Sequence, residues 1–195
     1  MNRVRVVERL LPLALMLAAL LTAVYPDPAD GEPSESSTER AEALWLEGAT
    51  LHVEGDYEAA IARFRAALEL RPTGRAHTWL AWSLSELGKL QQAVEHCRIS
   101  IRIDPAYPNA YNDIGSYLVD LGHPREAERW LRQALEFDDY CCPHYAWYHL
   151  ARSLLLQGRP AAAMDAVERS VELRSNYRPA VELLILLRML DLRAA

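Results

Sequence analysis

The residues with the most obvious chemistry are Cys141, Cys142 and His144, in the stretch Cys-Cys-Pro-His. Adjacent thiols beside an imidazole offer ligands for a soft metal. They also offer a dithiol that could close into a strained, redox-labile vicinal disulfide in an oxidising compartment. The plainer reading is a packed loop. Structural zinc requires four ligands, and the chain has no second cysteine pair. The third cysteine, Cys97, falls at a core position of a different helix. Cys141 and Cys142 are therefore redox candidates, and no metal site is assigned. His144 and His149 are five apart rather than four, so they do not share a helical metal spacing. A nucleophile elbow, a glycine-rich phosphate loop and a zinc-protease motif are all missing. Asp138 and Asp139 sit at a helix end, where solvation explains them. These residues predict a non-enzymatic protein that takes no cofactor.

Composition narrows the class further. The chain has 195 residues, about one domain, and is 51% hydrophobic, enough for a real core. Its 21 basic residues are outweighed by 27 acidic ones. That balance excludes a basic face for phosphates, and no nucleic-acid partner is expected.

The first 40 residues read as separate from the fold. Arg3, Arg5 and Arg9 precede an uncharged run from Leu10 to Tyr25. A basic start followed by an apolar core is the pattern of a cleaved signal peptide or a retained signal-anchor helix, and both readings stay open. Either would leave the arginines inside and export the rest, giving a periplasmic or inner-membrane-anchored protein that meets the membrane through this segment. Residues 26–40, rich in Pro, Gly, Ser and acids, read as a flexible linker.

From Ala41 onward the sequence repeats. Gly55, Gly88, Gly122 and Gly158 are spaced by 33, 34 and 36 residues. Ala60, Ala93, Ala127 and Ala163 each follow one of these glycines by five. Gly48, Ala81, Gly115 and Ala151 each precede one by seven. A period of this length fits two helices and two turns, with small residues where the helices cross. Leu51, Leu84, Leu118 and Leu154 would fill the first helices. Phe64, Cys97, Leu131 and Val167 would fill the second.

The segment Ala41 to Gly74 resembles a tetratricopeptide repeat without insertion, through Gly48, Gly55, Asp56, Tyr57, Ala60, Phe64, Ala67 and Pro72. Leu44 and His77 stand where the family usually has an early Trp. Asp139 and Ser175 replace the closing proline of repeats three and four. A stretch around repeat three, with Asn112-Asp113-Ile114-Gly115, is also similar to a bacterial group of such proteins, which favours a cell-envelope setting. The resemblance implies an all-α, right-handed superhelical array. Its four repeats would span 41–73, 74–107, 108–141 and 144–177, with a capping helix over 178–195.

The family's first helices line a groove for partner peptides. Carried over by position, that groove comprises Trp45, Ala49 and His52, then Thr78, Trp79, Trp82 and Ser85. Asn112, Asp113 and Ser116 follow, and then Tyr145, Tyr148, His149 and Arg152. Aromatic groups with polar ones between them suit a peptide-binding surface. The resemblance thus implies a scaffold for a protein partner in the envelope. A carboxylate clamp is not expected, because Asp113 would repel a carboxylate. The final helix is apolar nearly all round, so it reads either as a buried cap or as a homo-oligomer surface.

Overall fold

The structure is a computed structural model that describes residues 35–194, with side chains described for 36–190. Among the described residues there are nine α-helices and no strand. The first repeat holds α1 (Glu35–Glu54) and α2 (Tyr57–Leu70), and the second holds α3 (Gly74–Glu86) and α4 (Leu90–Ile103). The third holds α5 (Pro108–Asp120) and α6 (Pro124–Ala134), the fourth α7 (Pro143–Leu156) and α8 (Pro160–Leu173). A last helix, α9 (Arg178–Ala194), follows. Each helix packs on the next in sequence, as an all-α array requires.

The linker reading needs one correction. The helix α1 begins at Glu35, so residues 35–40 are helical rather than linker. Pro33 is the last helix breaker in that segment, and nothing after it stops the helix extending backwards. The proposed signal or anchor, 1–25, and linker residues 26–34 lie outside the described residues. Among the described residues, no helix is long and apolar enough to cross a membrane.

The periodic glycines have a local cause. Gly88 follows α3 at φ +71°, a conformation that costs glycine little. Its N–H donates to the Ser85 carbonyl, and the Lys89 N–H donates to that of Leu84, both at 2.9 Å. This Schellman closure satisfies carbonyls that the helix end would leave bare. Gly55, Gly122 and Gly158 repeat it. Prolines open α5, α6, α7 and α8, where a missing N–H costs nothing.

Within each repeat, the small residue of the first helix is matched in size to the large one of the second. A Cβ added at Gly48 would meet the Phe64 ring at 2.8 Å, and one at Gly115 would meet Leu131 Cγ at 2.4 Å. The repeats with alanine in the first helix, Ala81 and Ala151, carry the smaller Cys97 and Val167 in the second. All four second-helix residues are fully buried. A small residue on the first helix thus leaves room for a larger one on the second.

The last helix is capped on one side only. Ala180, Leu184 and Leu187 are buried, and Arg188 reaches Glu168 of α8 at 2.8 Å. Ile185, Leu186, Met189 and Leu190 are each about half exposed.

Candidate functional site

Helix packing decides which residues share a surface. The first helices α1, α3, α5 and α7 contact one another in succession. The second helices do not approach one another comparably. The first helices therefore form the tighter, inner wall of the curve, where the groove is expected.

Two aromatic groups stand on that wall. At the N-terminal end, Trp79 packs edge-on to Trp45, with centroids 5.6 Å apart, and against Trp82 at 4.8 Å. His52 joins them, 5.6 Å from Trp79. The Ser83 hydroxyl donates to the Trp79 carbonyl at 3.2 Å, and His52 Nδ1 lies 3.0 Å from Ser83 Oγ. Its proton thus committed, Ser83 accepts from Nδ1 of a neutral His52. Burial lowers the His52 pKa, which agrees with that state.

At the C-terminal end, Tyr145, Tyr148 and Tyr177 pack edge-to-face with centroids 5.1 to 5.4 Å apart. Tyr177 was not expected there, because it lies in the turn before α9 rather than on a first helix. A signal was present. Tyr107, Tyr140 and Tyr177 each sit within a few residues before the helix that follows a completed repeat, spaced by 33 and 37. Arg152 stands 5.9 Å over the Tyr148 ring and is ion-paired with Asp120 at 2.6 Å, so its charge is already used.

Between the groups lies a polar step on α5. Trp82 Nε1 donates to Asp113 at 2.5 Å, tying α3 to α5. Asn112 Nδ2 donates to the other Asp113 oxygen at 3.1 Å. Burial raises the Asp113 pKa to about 7, against the pull of those two hydrogen bonds. Near neutrality its negative charge is partly lost.

Several groove residues are placed differently from expectation. Trp45, Asn112 and Asp113 are buried at 4%, 6% and 8% exposure, and Thr78 and Ala49 are buried as well. They support the wall rather than line it. For Trp45 the cause is a lid: Arg75 lies 4.1 Å over its ring and is held by Glu42 at 2.8 Å. Thr78 is drawn inward by Ser100, to which its hydroxyl donates at 3.0 Å. Trp79, Trp82, Ser85, Ser116, Tyr145, Tyr148, His149 and Arg152 are half-buried. Trp45 Nε1, Asn112 Oδ1 and His149 Nδ1 are buried without a hydrogen-bond partner among the described residues.

The cysteines are not in the groove. Cys141 is exposed and Cys142 half-buried, in the turn between α6 and α7, with Cys97 buried elsewhere. Among the described residues, no three His, Cys, Asp or Glu side chains could hold a metal together.

The array carries an acid-sensitive set. His77 stacks on His96, with their Nδ1 atoms 3.0 Å apart. Burial holds His77 at a pKa of about 4 and His149 at about 3, and lowers His52, His96 and His144. The unfolded chain binds these protons near 6.5. Their contribution is complete above that value and falls as pH drops toward the folded pKa values. Asp113 acts oppositely. It keeps its proton up to about 7 when folded but only to 3.8 when unfolded, so its contribution falls as pH rises through that interval. Five histidines outweigh one carboxyl. Lowering the pH from about 7 to about 5 should cost roughly 1–3 kcal/mol of stability in urea titrations. Asp113→Asn should steepen that loss, and His77→Gln should flatten it. A profile flat in all three proteins would refute the assignment.

Comparisons with known proteins agree with this architecture. A family model for the tetratricopeptide repeat matches residues 46–108 and 112–178. Tetratricopeptide repeat protein 7A of Homo sapiens is 30% identical over 138 residues, 69% of this chain and 16% of that protein. Small glutamine-rich tetratricopeptide repeat-containing protein 2 of Mycosarcoma maydis is 30% identical over 107 residues, 54% of this chain and 30% of that protein. The chain thus spans less than a third of either relative. Among solved structures, Pseudomonas aeruginosa PilF superposes with TM-score 0.75 at 23% identity, covering 82% of this chain and 72% of PilF. PilW, described as a type IV pilus biogenesis factor, gives 0.72 at 24% identity over 77% and 69%. YrrB, described as having an unusual peptide-binding site, gives 0.63 at 19% identity over 76% and 75%. At these identities the likeness to solved structures shows the fold.

Proposed function

As a member of the tetratricopeptide repeat family, this chain is a scaffold for protein–protein interaction, and we propose that it holds a partner peptide against the inner wall of its first helices. The observation that carries this reading is the pair of half-buried aromatic groups, Trp79 with Trp82 and Tyr145 with Tyr148, separated by the polar step at Asn112 and Asp113. Rings fixed by their neighbours bury a ligand's apolar surface at little ordering cost. YrrB, of similar fold, is described as having a peptide-binding site, which is consistent with this use.

The reaction is passive recognition, and no covalent step is involved. An apolar side chain of the peptide would sit on Trp82 and another on Tyr148. Ser116, half-buried on α5, would offer a hydrogen bond between them. Trp82→Ala tests this. Against peptides selected from a display library, the substitution should weaken binding by about 2 kcal/mol, roughly 30-fold in Kd. Helicity should be unchanged. Unchanged affinity would remove the N-terminal aromatic group from the site.

We place the partner in the cell envelope. The arginines at 3, 5 and 9 and the uncharged run from Leu10 to Tyr25 support export or anchoring. A second reading rests on α9, whose Ile185, Leu186, Met189 and Leu190 are exposed together. Apolar surface of this kind favours self-association. Leu186→Glu with Leu190→Glu should then convert a sedimenting dimer into a monomer. A wild-type chain that stays monomeric at high concentration would end this reading.

A further inference from the structure

We propose that Cys141 and Cys142 form a dithiol modification site, which an organic disulfide converts into a vicinal disulfide at the joint between the third and fourth repeats. Three observations point to it. The Sγ atoms lie 3.0 Å apart, so the two thiols already face each other. Cys141 is exposed, which lets a disulfide reach it, and Cys142 is half-buried behind it. The joint itself is long. After the short α6 ends at Ala134, seven residues separate Leu135 from the start of α7 at Pro143, two more than the period requires at this junction.

The roles of the two thiols follow from their surroundings. Burial and the neighbouring sulfur push the Cys142 thiol up to about 12, so it is a poor first nucleophile. The exposed Cys141 attacks first. Its thiolate displaces one thiolate from R–S–S–R and forms a Cys141–S–S–R mixed disulfide. Cys142 then loses its proton and attacks Cys141 Sγ. The Cys141–Cys142 bond forms as the second R–S⁻ leaves. Two electrons pass from the dithiol to the organic disulfide, and two RSH are the products. Arg174 lies near enough to favour the Cys142 thiolate.

Ring closure acts on a structural position. Cys142 is the N-cap of α7, and its carbonyl accepts from the Tyr145 N–H at 3.1 Å. Tyr140, just before the pair, is buried, and so is His144, just after it. An eight-membered ring at 141–142 constrains the backbone that aims the first turn of α7. That turn carries Tyr145.

The test uses the purified full chain and oxidised glutathione as the probe. Protein is incubated, alkylated and digested, and the tryptic peptide 133–152 is weighed. The wild type should lose two hydrogens in this peptide, retain no glutathione, and leave Cys97 reduced. Faster closure at higher pH should follow from the Cys142 proton. Cys142→Ser should trap glutathione on Cys141, and Cys141→Ser should leave the remaining thiol unmodified. A stable glutathione adduct on the wild type, or no reaction at all, would overturn the proposal. Both variants lie in a surface turn, and a circular dichroism melt confirms that each is folded. Peptide binding plays no part in this readout, so it stands or falls independently of the groove.

Discussion

Gly115→Ala should destabilise the array by at least about 2 kcal/mol, the upper part of the range for overpacked cores. Elsewhere in a helix the same change would gain about 1 kcal/mol in propensity. The sign reverses here because the new Cβ would stand 2.4 Å from Leu131 Cγ and 2.6 Å from Cδ2. Leu131 is fully buried and has nowhere to retreat. The chain itself supplies the remedy. The fourth repeat pairs Ala151 with Val167, so Gly115→Ala combined with Leu131→Val should recover most of the loss. Urea titration of the two single variants and the double variant gives the coupling energy. Additive losses would show that the crossing is not size-matched.

Phe64→Ala should cost roughly 3–5 kcal/mol, the usual range for a buried phenylalanine. Phe64 is fully buried under Gly48 and touches Trp79, with ring centroids 6.1 Å apart. The consequence should differ from that at Gly115. Repeat arrays are held by neighbour-to-neighbour contacts, so damage in the first repeat can detach it alone. Unfolding should split into two phases, with the early one reported by tryptophan fluorescence, since Trp45 of the first repeat packs on Trp79 of the second. A single cooperative transition shifted as a whole would show that the repeats melt together.

The array was legible because its signals are local and periodic. Glycine at each turn closes a Schellman motif, and the small residue seven positions earlier marks a helix crossing. Both leave a fixed offset in the sequence. The helical start at Glu35 was hidden, because Ser, Glu and Thr are as common in linkers as in first turns. The groove was harder to read. Position on a first helix identified Trp79, Trp82, Tyr145 and Tyr148, but not which neighbours cover them. Trp45 is roofed by Arg75, a contact across 30 residues that no spacing announces. Asp113 reads as a surface acid on α5. Burial and the Trp82 indole make it an interior link between repeats.

Site-specific photo-cross-linking in intact cells distinguishes a peptide on the inner wall from one bound elsewhere. A photoreactive phenylalanine analogue would replace Tyr148 on the inner wall or Arg63 on α2, whose side chain is about half exposed. Position 148 should give one defined adduct, formed with an envelope protein and lost when Trp82→Ala is added. Position 63 should give none. Adducts from position 63 alone, or an adduct from 148 that survives Trp82→Ala undiminished, would contradict a peptide held along the inner wall.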